Sequence, residues 1–109
     1  MTRMLIAAVL LSGCATVSIP LPIGPAQSVL PPGCPVRVEK LSLVEASKDN
    51  AQVGVVCVAS PWGFGPRQED VEREVLRRAC ELGGDMVTVI DLCTAQRETG
   101  IEYGVFKKR

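Results

Sequence analysis

The feature that most limits what this chain can become lies at its start. Arg3 is followed by the run Leu5-Ile6-Ala7-Ala8-Val9-Leu10-Leu11 and then by Ser12-Gly13-Cys14. A positive charge, a short apolar stretch and small residues, in that order, make a secretory signal. A membrane span needs about 20 apolar residues, so this run is too short to persist as a transmembrane helix. The expected product is an exported chain without residues 1–13, folding in an oxidising compartment. What remains is one small domain, whose marginal core calls for disulfides, a metal or a partner.

Leu11-Ser12-Gly13-Cys14 resembles the lipobox of bacterial lipoproteins, Leu-small-small-Cys. The resemblance implies that Cys14 carries diacylglycerol on its thiol and that its new amine is acylated after cleavage. One acyl chain anchors only marginally, at about 0.8 kcal/mol per buried CH₂, whereas three hold a protein on the membrane almost permanently. Ala15 rather than Asp follows the cysteine. Under enterobacteria-like sorting this directs the product to the outer membrane, with the domain facing the periplasm.

Four further cysteines, Cys34, Cys57, Cys80 and Cys93, form an even set in a small exported domain. They read as two disulfides with three possible connectivities, against the alternative of free buried thiols. Lys plus Arg and Asp plus Glu number 12 each, so there is no basic field of the kind nucleic-acid binding requires.

Residues 15–33 hold five of the eight prolines and no charge, which disfavours helix and central strand alike. An extended tether over 14–33 is expected, with a reach on the order of 60 Å if fully polyproline-like. Ile19, Leu21, Ile23, Val29 and Leu30 are apolar for a free linker, so packing of part of it is the competing reading. The domain proper, 34–109, opens with a period-2 strand over 34–40. Leu41–Asn50 is mixed and ends in a turn. The valine-rich 52–59 reads as a central strand, with Gly54 marking a bulge or a close neighbour.

Ser60–Gly65 is a loop carrying Trp62 and Phe64, which either present a contact for a partner or lipid surface or fold back onto the core. Pro66 suits a helix start. Val71, Val75, Ala79 and Leu82 then form one apolar stripe, with Leu76 at its edge. Gly83-Gly84 ends that helix. A strand over 86–93 follows, then a polar connection over 94–100 and an edge-like strand over 101–107. Lys107-Lys108-Arg109 reads as a solvated end that discourages edge pairing.

The fold class is thus α+β: a small β-β-α-β-β domain, one helix on a three- to four-stranded sheet, with strands 52–59 and 86–93 side by side through a right-handed crossover. That arrangement brings Cys57 and Cys93 to one edge as the candidate bridge. Cys34, starting the antiparallel strand 34–40, arrives at the same edge as a competing partner, and Cys80, at the other end of the helix, is left unassigned.

The segment Val75–Ile90, VLRRACELGGDMVTVI, resembles a pattern in small bacterial outer-membrane lipoproteins: a helix rich in Leu and Ala, Gly-Gly or Gly-Ala, Asn or Asp, then a Val-rich strand. The disulfide-bonded Rcs-system stress-sensor lipoprotein and several lipoprotein families of unknown function share it. The resemblance implies envelope sensing or scaffolding through protein contacts. Cys93 sits where the sensor has a bridged cysteine; Cys80 departs from the pattern, so the sensor's bridges do not transfer.

Catalysis lacks parts. There is no histidine and so no Ser-His-Asp or Cys-His arrangement, no Cys-x-x-Cys and no glycine-rich phosphate cradle. Asp85, Asp91 and Glu98 have no distinguishing spacing. The expectation is a non-catalytic, membrane-anchored envelope protein without a cofactor or an evident small-molecule substrate, contacting other envelope proteins. The rival is a soft-metal site in which Cys34, Cys57 and Cys93 converge to hold Cu(I) or Zn²⁺ through thiolates.

Overall fold

The last strand of the chain occupies the middle of the sheet. In the computed structural model, which describes residues 17–59 and 68–109, the elements in chain order are β1 (Val17–Pro22), β2 (Arg37–Val38), α1 (Leu43–Asp49), β3 (Asn50–Ala59), α2 (Gln68–Glu81), β4 (Met86–Ala95) and β5 (Glu98–Lys108). One five-stranded sheet runs in the order β1-β3-β5-β4-β2. The first three neighbouring pairs are antiparallel, and β2 lies parallel to β4. The fold is α+β.

β3 and β4 run the same way, as the crossover through α2 requires, but β5 is inserted between them. This corrects the expected side-by-side pair and the edge position of 101–107. The reason is burial: Val105 and Phe106 are both fully buried, and successive strand residues point to opposite faces, so this strand needs cover on both sides. Val105 joins Val53, Val56, Val58, Val87 and Tyr103 beneath the α2 stripe of Val71, Val75 and Ala79. Phe106 packs on the other face with Met86 and with Ala46 of α1.

α1 was not expected, though its signal is present. Ser42-Leu43-Val44-Glu45 has the capping-box pattern, with Ser42 as N-cap: the Glu45 amide donates to Ser42 Oγ at 3.1 Å, and Ser42 Oγ donates to Glu45 Oε1 at 3.1 Å. Asn50 Nδ2 donates to the Ala46 carbonyl at 2.9 Å and closes the far end. The strand expected over 34–40 shrinks to Arg37–Val38 and is parallel, not antiparallel. Beyond it the Thr88 side chain replaces the ladder. Its Oγ1 accepts from the Leu41 amide at 3.0 Å and donates to the Leu41 carbonyl at 2.9 Å.

The polar connection contracts as well. β4 and β5 meet in a two-residue turn, Gln96-Arg97, both with positive φ (49° and 67°). That is a type I′ hairpin made without the Asn-Gly pair that normally announces it. The sheet coils tightly at this end. Gly100 lies against β3, where an added Cβ would meet the Val58 carbonyl oxygen and the Ala59 side chain.

A Gly100→Ala variant is expected to lose about 1–3 kcal/mol, because backbone rather than a flexible side-chain tip must give way. Chemical denaturation of the oxidised protein measures it; a change within error would show that the coil relaxes freely.

Candidate functional site

The four cysteines are joined as Cys34–Cys80 and Cys57–Cys93, each with Cα atoms 6.0 Å apart. The first bridge fixes the last turn of α2. The second lies at the other end of the sheet and spans β5, because Cys57 is opposite Glu102 and Cys93 opposite Gly100 on that strand. In a flat sheet, next-but-one strands stand about 9.5 Å apart, so the 6.0 Å separation records how far β4 folds over. A bulge at Ile90, between the pairs Val89–Tyr103 and Asp91–Glu102, provides the bend.

Two expectations about the cysteines are corrected here. Cys34 does not compete for the Cys57–Cys93 edge, since a parallel β2 puts it at the opposite end, and Cys80 is not without a mate. The convergence of Cys34, Cys57 and Cys93 on a metal fails for the same reason. Among the described residues no group of three or more His, Cys, Asp or Glu side chains is placed to hold a metal ion.

Residues 17–22, assigned by sequence to a tether, form β1, paired antiparallel with β3 from Val17–Ala59 to Pro22–Gly54. Prolines 20 and 22 are tolerated because β1 is an edge strand. The chain stays fastened after β1. The Ile23 amide donates to the Val53 carbonyl at 3.0 Å, and the Leu30 amide to the Cys80 carbonyl at 2.9 Å. The missed signal is the alternation Val17, Ile19, Leu21, Ile23, interleaved with Ser18, Pro20 and Pro22.

Ser18 joins β1 to the helix. Its hydroxyl donates to Glu74 Oε2 at 2.6 Å and accepts from Arg78 Nε at 2.9 Å, while Arg78 Nη2 donates to the Ser18 carbonyl at 3.3 Å. Arg77 reaches Glu74 at 2.8 Å and Glu81 at 3.1 Å, and Arg78 reaches Glu81 at 2.9 Å. Burial pushes the Glu74 carboxyl up, but hydrogen bonds from Arg77 and Ser18 and the charges of Arg77 and Arg78 outweigh it, leaving the carboxyl below its ordinary range. The charged face of α2 therefore contains one structural node, tied to β1 through Ser18.

Hollows border the sheet among the described residues. Beside α2 is an apolar groove of about 150 Å³, with Val75, Leu76, Val87 and Tyr103 beneath and Val38 and Val89 at its lips. Pockets for drug-sized ligands run to about 300–1,000 Å³, so this groove is smaller than those. The wider hollow near the C-terminus, about 680 Å³, mixes Arg37, Lys48, Lys108 and Arg109 with Glu39, Glu45 and Asp49, giving no field of one sign. Next to it, Asp85 Oδ2 accepts from the Lys108 amide at 3.3 Å, while Asp85 Oδ1 is buried with no hydrogen-bond partner. Among the described residues no strand pairs with the outer edge of β4 beyond Val87, where Val89 and Leu92 are exposed.

Cys14, Trp62 and Phe64 lie outside the described residues.

No protein-family model matches the chain, and no curated protein matches it. A solved structure does: a Francisella virulence factor, FvfA, with a TM-score of 0.53 at 15% identity, covering 86% of this chain and 99% of that one. At that identity the likeness is one of fold.

Two outcomes are expected. A Cys34→Ser, Cys80→Ser variant loses about 4 kcal/mol on the chain-entropy relation for a loop of 46 residues, read by denaturant midpoint against the oxidised parent. The Glu74 contribution is present near neutrality and is lost as pH falls through and below the ordinary carboxylate range, the sign for a depressed carboxyl. Glu74→Gln flattens the acid limb of a stability–pH curve; an unchanged limb would remove Glu74 from the account.

Proposed function

We propose that the chain is an exported, lipid-anchored protein of the bacterial cell envelope, acting without catalysis by binding, sensing or scaffolding through protein contacts. The observation that carries the reading is the pair of disulfides, Cys34–Cys80 and Cys57–Cys93, in a domain whose small core needs them. Disulfides persist in oxidising compartments and are rare in the cytosol. They agree with the leader and lipobox pattern of residues 3–14, which names Cys14 as the lipid-bearing residue. Ala15 favours the outer over the inner membrane. The periplasmic side is then where the domain meets its partners.

The function rests on surface rather than on a pocket. The groove beside α2 is small, the C-terminal hollow is mixed in charge, and the open edge of β4 carries exposed Val89 and Leu92. The soft-metal alternative loses its ligands once these thiols are oxidised.

Two measurements test the proposal. The intact mass of unreduced, membrane-extracted protein is expected to begin at Cys14 with three acyl chains and to lack two protons per bridge. Cys14→Ala is expected to leave the membrane fraction. A mature chain starting elsewhere, or a variant that still pellets with membranes, would refute the anchor.

A further inference from the structure

We propose that the outward row of β1, Val17, Ile19 and Leu21, rests on the bilayer, so that the domain lies against its membrane along this edge strand and not at the end of a spacer. The inference rests on the anchor at Cys14. From that residue to Val17 there are three chain steps, about 10 Å at most when extended, and Val17 is already hydrogen-bonded into the sheet opposite Ala59. The sequence beyond offers no slack. β1 continues to Pro22, Ile23 is tied to Val53, Leu30 to Cys80, and Cys34 is bridged to Cys80.

The side of β1 turned away from α2 is apolar and open. Ser18 points to the helix, where it is buried against Glu74 and Arg78. By strand alternation, Val17, Ile19 and Leu21 then point to the other face. Ile19 is 44% exposed and Leu21 59%, and Ile23, just past the strand, is 40% exposed. The row's cross-strand neighbours on that face are Ala59, Cys57 and Val55, so among the described residues no charge lies opposite it. The nearest carboxylates on this face, Glu102 and Asp91, sit further across the sheet on β5 and β4. An apolar row starting within about 10 Å of three acyl chains finds hydrocarbon and headgroup boundary before it meets anything else. With its charges set back, contact is made edge-first and without need of anionic lipid.

The test uses the full-length protein expressed with its leader, extracted with its lipid, and reconstituted into phosphatidylcholine vesicles with brominated acyl chains. In a Trp62→Phe background, a single tryptophan is placed by Ile19→Trp, by Leu21→Trp, or by Val29→Trp, an exposed site fastened near the far end of α2. Fluorescence loss is expected at 19 and 21 and not at 29. Equal quenching at all three, or at none, overturns the proposal while leaving a lipidated Cys14 intact. A preparation without lipid mass overturns the anchor first and this inference with it. Hydrogen exchange on the unsubstituted lipidated protein is a second reading: vesicles are expected to slow exchange in β1 relative to detergent, and identical rates in both refute the contact.

Discussion

The structure depends on β5 being sandwiched between two strands that run the opposite way to it. Val105 and Phe106 are adjacent, fully buried and turned to opposite faces. One seats the valine layer under α2 and the other seats Met86 and Ala46 under α1. Burying one such side chain is worth about 1.5–3 kcal/mol, a large share of the net stability of a domain this size. The bridges act on top of this arrangement. Each pins one end of the sheet, one at the last turn of α2 and one where β4 folds over β5.

Helical periodicity was the most legible part of the sequence. The stripe Val71, Val75, Ala79 is where it was expected because spacing at four residues leaves one geometry for an apolar face. Strand existence was legible too, since runs such as Val55–Ala59 have few other fates. Strand order was not. Nothing in Ile101–Lys107 says whether its neighbours are water or two other strands, because a period-2 pattern with Tyr103 and Phe106 fits either. The parallel setting of β2 was equally hidden, and with it went the partner of Cys34.

The other misses came from signals weighed by the wrong rule. The prolines of 15–33 argue against helix and central strand but leave an edge strand open, since proline is barred only from positions whose N–H must pair inward. The alternation through Val17, Ile19 and Leu21 was the better guide. The capping box at Ser42–Glu45 was overlooked inside a segment judged by its mixed composition. The Gln96-Arg97 turn lacked the glycine that makes such turns visible, and the closing strands paid the cost of two positive φ angles. As for the candidate site, its cysteines could be named from sequence but only partly connected, and Ser18 was invisible until β1 lay against α2.

The kink at Ile90 has an effect beyond letting Cys93 approach Cys57. Past Val87 the rim of β4 carries backbone groups with no strand beside them, a ready template for a second chain. Ile90 breaks the even spacing that such a template needs, and Asp91 sets a carboxylate in the same stretch. Two rims brought together head to tail would find their ladders out of step and two negative charges crowded. The irregularity that lets Cys93 reach Cys57 thus also works against edge-to-edge pairing of copies.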